Sequence, residues 1–284
     1  MKNELKIKNT KYSFLISVYY KEKPEYLKMS FDSMINQTIK PDEIVLVEDG
    51  KLTPELYEVI NKYSNENKNL FNIVVLNENV GLGLALNAGL KVCKNELVAR
   101  MDTDDVCLPN RCEQQLERFE KNDNLDIVGS MTDEFIGTID NIVSSRIVPT
   151  THEKIMKFAR RRSPFNHPTV MYKKSKVMEV GGYGNYRRAQ DYDLFMRMLN
   201  EGQAIGENID KSLIYFRADE NNIKRRSSFN ACKCHIQMVY GFWNKGYVSL
   251  FDFLVIICYQ CVIFIVPSQI VKLITNKFLR KSKK

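Results

Sequence analysis

The stretch Val98-Ala99-Arg100-Met101-Asp102-Thr103-Asp104-Asp105 is an apolar approach that ends in three carboxylates within four positions. Residues 96–101 read as a short strand and Pro109 as the first residue of a following helix, which places the acids in the turn at the strand's carboxyl end. In an open α/β sheet, ligands bind along that edge. Carboxylates this close repel one another; a divalent cation with oxygen ligands relieves the repulsion, and phosphate oxygens complete its coordination. Two readings follow: a metal site for a phosphorylated substrate, or a solvated turn in which Asp105 caps the next helix.

The flanking sequence favours the first. Upstream, Phe14-Leu15-Ile16-Ser17-Val18-Tyr19-Tyr20 is a β-rich run, and Leu27, Phe31, Met34 and Ile35 then recur at helical spacing. Residues 43–50 form a second apolar strand ending in Asp49-Gly50, and Thr53-Pro54-Glu55 looks like an N-cap with proline just inside a helix. A third strand covers residues 72–76, after which Asn79-Val80-Gly81-Leu82-Gly83 turns into an apolar helix over 84–92. Four strands alternating with helices imply βαβ units, a parallel sheet and right-handed crossovers. That order brings Tyr19, Asp49, Asn79 and Asp102 to strand ends on one edge. Taken singly, Asp49-Gly50 is equally a turn and Gly81-x-Gly83 equally a plain loop. Taken together they describe a nucleoside-diphosphate pocket: an aspartate for a base N–H, glycines for close backbone approach, and acids for a metal.

Downstream, a helix packs Cys112, Leu116 and Phe119 inward, and residues 125–147 alternate as two or three strands about the turn at Ile139-Asp140-Asn141. Residues 163–168 are a loop, 169–172 a short strand, and Gly181-Gly182-Tyr183-Gly184 a flexible turn able to close over a ligand. Arg187-Arg188-Ala189-Gln190-Asp191-Tyr192-Asp193 then leads a helix burying Leu194, Phe195, Met198 and Leu199. Asp191 is placed to cap that helix, and a cap can also serve as a general base.

Composition bounds the class. The 284 residues with 44% apolar content suffice for a packed core. The formal charge is +8, but Lys272, Lys277, Arg280, Lys281, Lys283 and Lys284 close the chain without an acid, leaving +2 for residues 1–271, which excludes nucleic acid as a partner. Seven cysteines, odd and scattered, fit a reduced cytosolic setting. Cys258-x-x-Cys261 has redox or zinc spacing but lies in an apolar run without a second pair, which points to packing. Residues 1–12 are charged and carry no signal sequence.

From about Tyr12 to Phe216 the chain resembles the bacterial family 2 glycosyltransferases of the GT-A fold. The matching pieces are Ile16-Ser17-Val18-Tyr19-Tyr20, Val47-Glu48-Asp49-Gly50, Asn79-x-Gly81-Leu82-Gly83-x-Ala85-Leu86-Asn87, Ala99-Arg100-Met101-Asp102-Thr103-Asp104-Asp105, His167-Pro168-Thr169-Val170 and Gln190-Asp191-Tyr192-Asp193. It is most similar to the subgroup that extends lipid-linked repeat units of O antigens and other surface polysaccharides. The resemblance implies an α/β GT-A (Rossmann-like) fold, a mainly parallel sheet flanked by helices. Ser17, Tyr19, Asp49, Asn79, Arg100 and Asp102 would bind the nucleotide, Asp49 accepting from the uracil ring. Asp102 and Asp104 would hold Mn²⁺ or Mg²⁺ against the donor diphosphate, and Asp191 would be the base. Many relatives carry Glu-Asp where this chain has Gln190-Asp191, so one carboxylate beside the base is missing. Arg100 either reaches a phosphate or is a solvated strand-end charge. His167 is an acceptor-side hydrogen-bonding group or an ordinary loop histidine. The implied reaction is inverting transfer of Glc or Gal from UDP to an N-acetylhexosamine on undecaprenyl diphosphate, giving a β-linkage. Alternatives are another UDP-sugar in capsule or exopolysaccharide assembly, a sugar-nucleotide pyrophosphorylase, and a non-enzymatic scaffold.

This organisation makes residues 1–220 the catalytic domain, with a nucleotide half at 12–108 and an acceptor half at 109–220. Residues 221–284 form a helical region that associates with the membrane. Residues 253–271 contain no charge, about 28 Å as a helix, close to a bilayer core. Gln260, Pro267, Ser268 and Gln269 weaken the run, and both the basic tail, 272–284, and a UDP-sugar site belong on the cytoplasmic side. The expectation is therefore a helix in the interface of the inner membrane's cytoplasmic face, with the tail on anionic lipid; a buried core helix is the other reading. Arg160-Arg161-Arg162 and Lys224-Arg225-Arg226 face lipid phosphates or the acceptor diphosphate, or are simply solvated.

Overall fold

The structure is a computed structural model describing residues 10–186, 188–218, 229–265 and 280–281. The first half alternates strand and helix: β1 (Tyr12–Val18), α1 (Pro24–Ile35), β2 (Glu43–Glu48), α2 (Pro54–Glu66), β3 (Phe71–Val75), α3 (Leu82–Val92) and β4 (Leu97–Arg100). β1 pairs in parallel with both β2 and β4, and β2 with β3. β2 is buried at every position and β1 at all but one, as expected of strands covered on both faces, which is why they read as unbroken apolar runs. The order β4-β1-β2-β3 reverses direction at β1. A crevice opens at the carboxyl ends where such a reversal occurs, and the acid turn after β4 lies there.

Local chemistry sets several boundaries. Thr53 accepts from the Leu56 amide and Pro54 opens α2, as its sequence predicts. Asp105, by contrast, caps nothing. A short strand, β5 (Val106–Cys107), follows the acids instead, and the helix α4 (Arg111–Lys121) begins two residues after Pro109. β5 pairs with a distant strand, β9 (Ile205–Arg217), and that pairing delays the helix beyond where proline alone would start it.

The second half turns the sheet mixed. β6 (Leu125–Phe135) and β7 (Ile142–Arg146) form the expected hairpin, followed by α5 (His152–Ala159) and a 3₁₀ turn at His167–Thr169. β8 (Met171–Lys173) runs antiparallel to both β4 and β6 and joins the two halves. α6 (Lys174–Glu179) and α7 (Gln190–Asn200) precede β9, which lies parallel to β6. Gly181 to Gly184 is not a free flap: Asn87 holds the amide and carbonyl of Tyr183, and Arg197 donates to the Val180 and Gly182 carbonyls.

Two further helices, α8 (Phe229–Asn244) and α9 (Leu250–Ile265), pack together and contribute Met238, Phe242 and Ile256 to the core that contains Leu15, Val45 and Leu86. Among the described residues no helix is long and apolar enough to cross a membrane. α9 is apolar on its outer side as well, and Cys258 and Cys261 are exposed there as free thiols; the packing reading of this pair is corrected, because the helix turns both outward. Residues 280–281 form a short strand, β10 (Arg280–Lys281), antiparallel to β7, so the basic tail returns to the sheet edge at this point. Residues 224–226 and the remainder of the apolar run and tail lie outside the described residues.

Candidate active site

Three elements hold the acid turn from behind. Ser30 of α1 donates to the Asp102 carbonyl at 3.0 Å, the buried Arg111 of α4 donates to the Arg100 carbonyl at 2.7 Å, and Arg217 at the end of β9 donates through Nε to the Asp104 carbonyl at 3.0 Å. The Arg217 amide also donates to Asp105 Oδ1 at 2.9 Å, while its guanidinium stacks 3.7 Å from the Tyr26 ring centre. With the backbone fixed, one carboxylate oxygen from each of Asp102, Asp104 and Asp105 falls within 4.8 Å of the others.

Acids outnumber cations here. Glu22, in the loop after β1, accepts from Thr103 and faces the same cluster. Burial, then Asp102 and Glu22, push the Asp104 carboxyl up to about 7. Burial and the neighbouring aspartates also raise Asp105, and burial raises Glu22. Asp105 is fully buried, and its Oδ2 has no hydrogen-bond partner among the described residues. Hard oxygen donors, clustered charge and an orphaned carboxylate oxygen fit a divalent cation of the Mg²⁺ or Mn²⁺ type.

Arg100 is not solvated. It is 1% exposed, its Nη2 pairs with Asp102 Oδ1, and its Nε and Nη1 have no partner among the described residues. Beside it lies a buried polar cluster in which His167 Nε2 meets the Tyr183 hydroxyl at 3.0 Å and Tyr172 meets the same hydroxyl at 3.4 Å. Burial and the Arg100 charge hold His167 neutral, its pKa well below the usual histidine value. Burial pushes the Tyr183 phenol up to about 12. His167 is thus an interior partner of Tyr183, not an open side chain at the site's mouth.

The loop after β3 is tied to β2. Asp49 accepts from Asn79 Nδ2 at 2.9 Å, from the Val80 amide at 2.7 Å and from the Gly81 amide at 3.1 Å. Gly50 permits this: a Cβ there would sit 2.7 Å from the Asn79 nitrogen, and its φ of 81° lies in the left-handed region. Three of the four lone-pair directions of Asp49 are occupied, leaving one for a ligand N–H. Tyr19 is exposed just beyond β1, edge-on to Tyr20, and Ser17 is half-buried on the strand.

Asp191 stands half-buried in the first turn of α7, whose N-cap is Ala189 in the left-handed region with no side-chain cap. The helix-capping reading of Asp191 is therefore corrected; its neighbour Asp193 is buried and paired with Arg197 at 2.6 Å. The first turn of α7 abuts the start of α3, since a Cβ on Gly83 would meet the Gln190 side chain at 3.3 Å. Tyr183, held by Asn87 of α3, lies in the cluster beside Arg100, and the charges of Asp191 and Asp102 add to the burial that raises its phenol. Sequence reading missed Glu22, Tyr183, Arg217 and the role of Asp105. Glu22 follows a strand end, like the residues that were found, and was legible on that ground; Arg217 carries no local signal.

A glycosyl transferase family 2 model matches the chain over residues 13–195. The chain is 35% identical over 273 residues to the UDP-Gal:alpha-D-GlcNAc-diphosphoundecaprenol beta-1,3-galactosyltransferase of Escherichia coli, covering 95% of this chain and 97% of that protein. It is 38% identical over 231 residues to the amylovoran biosynthesis glycosyltransferase AmsE of Erwinia amylovora, covering 80% and 84%. Among solved structures, the mannosyltransferase PcManGT from Pyrobaculum calidifontis, in complex with GDP-Man and Mn2+, is similar in fold, with a TM-score of 0.63 at 12% identity over 95% of this chain and 76% of that one.

Proposed function

The chain belongs to glycosyl transferase family 2, and from that premise we propose that it transfers a hexose, Glc or Gal, from its UDP derivative to an N-acetylhexosamine on undecaprenyl diphosphate, forming a β-linkage in O-antigen or other surface polysaccharide assembly. The observation that carries this reading is the acid turn at the carboxyl end of β4, where one carboxylate oxygen from each of Asp102, Asp104 and Asp105 lies within 4.8 Å of the others. The Escherichia coli relative, named for a UDP-Gal donor and a GlcNAc-diphosphoundecaprenol acceptor, supports the choice of substrates. The site belongs on the cytoplasmic face of the inner membrane, where both would meet it.

In this mechanism Asp49 accepts from the base, with Asn79 and the amides after it fixing the loop, and Ser17 and Tyr19 line the same pocket. Asp102 and Asp104, with Asp105 behind them, would hold Mn²⁺ or Mg²⁺. That ion supplies charge neutralisation for the departing diphosphate. Asp191 accepts the proton of the acceptor hydroxyl as its oxygen bonds to the anomeric carbon; the bond from that carbon to the diphosphate oxygen breaks, and UDP leaves from the opposite face. Arg100 holds Asp102 in place from the interior, and His167 acts on the acceptor side by fixing Tyr183. The test is the anomeric configuration of the product made from UDP-Glc or UDP-Gal on a GlcNAc-diphosphate-lipid analogue. A β-linked hexose is expected; an α-linkage would remove Asp191 from the role of base in a single displacement.

A further inference from the structure

Two strand pairings bring Arg217 to the acid turn. β5 meets β9 antiparallel with Val106 opposite Tyr215, and continuing that register by two places sets Asp104 opposite Arg217. On the other side of β9, Phe135 of β6 is the register partner of Arg217, and the Ala218 amide donates to the Phe135 carbonyl at 2.9 Å. Arg217 is buried, and it lies beyond residue 195, where the match to the family ends.

Three of its side-chain donors end on uncharged groups. Nε reaches the Asp104 carbonyl at 3.0 Å, Nη1 the Gly137 carbonyl in the turn between β6 and β7 at 3.0 Å, and Nη2 the Met29 sulfur of α1 at 3.6 Å. The guanidinium also lies 3.7 Å from the ring centre of Tyr26 and 4.5 Å from that of Phe135. None of the three bonds runs to a carboxylate, which matters beside a cluster of acids. A guanidinium paired with a carboxylate occupies an oxygen that a cation could use, as Arg100 does at Asp102 Oδ1. Arg217 instead grips the backbone of Asp104, while its own amide donates to Asp105 Oδ1 at 2.9 Å and leaves Oδ2 open. Its charge and its hydrogen bonds then act in opposite directions on a bound cation. The charge repels the ion; the bonds hold two of the ion's carboxylates in place and spare it the cost of ordering them.

We propose that Arg217 is a positioning residue for the divalent cation: by tying the Asp104 backbone to α1 and to the turn between β6 and β7, it holds Asp104 and Asp105 where they can bind the ion. The inference rests on the metal-dependent transferase reading above and adds what sets the affinity of the acid turn. It is tested on the full chain by calorimetry of UDP over a series of Mn²⁺ concentrations, without acceptor and without turnover. The quantity read is the Mn²⁺ concentration at the midpoint of the rise in UDP affinity. Arg217→Met keeps the stem and removes charge and donors; Arg217→Lys keeps the charge but not the fork. In Arg217→Met the midpoint rises about 10- to 100-fold, the scale of outer-shell losses around a metal, and in Arg217→Lys it rises by less, while UDP affinity in EDTA stays at the wild-type value in both. A role through charge alone has the opposite sign and lowers the midpoint in Arg217→Met. Gly89→Val, at a glycine packed against Leu15 and Val47, controls for general loosening and keeps the wild-type midpoint. An unchanged or lower midpoint in Arg217→Met overturns the proposal, as does an equal rise in Gly89→Val. Should Arg217→Met not fold, Arg217→Lys decides, and a wild-type midpoint there overturns it. A wild type whose UDP affinity ignores Mn²⁺ removes the metal reading and this proposal together. A Mn²⁺ midpoint that depends on Arg217 in a protein that transfers no sugar defeats the transferase reading and leaves the role of Arg217 standing.

Discussion

Asp191 and Asp104 are both half-buried carboxylates, yet their proposed roles predict separable losses. Asp191→Asn keeps the shape and removes the proposed proton acceptor, so turnover should fall by roughly 10²- to 10⁴-fold with donor and metal affinity retained. Asp104→Asn removes a charge from the cluster, and titration should show Mn²⁺ binding weakened by at least about 10-fold, the scale on which even outer-shell losses act. His167 supplies a pH signature. Its folded pKa lies well below the unfolded value, so the unfolded chain binds a proton first as pH drops. The stability contributed by keeping it neutral is present above pH ~6.5 and is lost on acidification towards the folded value, by at most about 1.4 kcal/mol per pH unit. His167→Gln lacks this leg. The stability gap between wild type and variant, from urea midpoints, should narrow from pH 7 to pH 5; a constant gap would mean that His167 is already charged in the folded protein. Buried carboxylates titrate in the opposite sense in both proteins and cancel in the difference.

At the scale of elements, α3 lies so close to the sheet that a Cβ on Gly89 would stand 2.5 Å from Leu15 Cδ1 and 2.6 Å from Val47 Cγ2. Gly89→Val should cost about 1–3 kcal/mol by overpacking, seen as a lower thermal midpoint, despite the better helix propensity of valine. The alternation of strands and helices through β4 was legible because each element carries its own period, with β1 and β2 as apolar runs and α1 as the repeat of Leu27, Phe31 and Met34. The acid turn was legible for the same reason, since one short segment contains both its strand and its carboxylates. What escaped reading depends on distant pairing. The pairing of β5 with β9 delays α4 and brings Arg217 onto Asp104 and Asp105, 112 residues from the nearer pair member. The burial of Arg100 depends on β8 and the His167 turn, and the outward facing of Cys258 and Cys261 on which side of α9 meets α8; none of these is written in local spacing.

Across the whole molecule, the switch of strand order at β1 brings loops from β1, β2, β3 and β4 to one crevice, and β8 closes the second half against it. The site is thereby assembled from segments between Ser17 and Arg217, held by backbone contacts that require the entire sheet. Such a site should act as one unit, with acceptor, donor and metal each needed for turnover. The most direct test is UDP release by the full chain offered UDP-Glc and UDP-Gal with a GlcNAc-diphosphate-lipid analogue, in Mn²⁺ and then in EDTA. Release that requires the acceptor and stops with EDTA is the predicted result. Release of pyrophosphate, or UDP release indifferent to acceptor and chelator, would contradict the account.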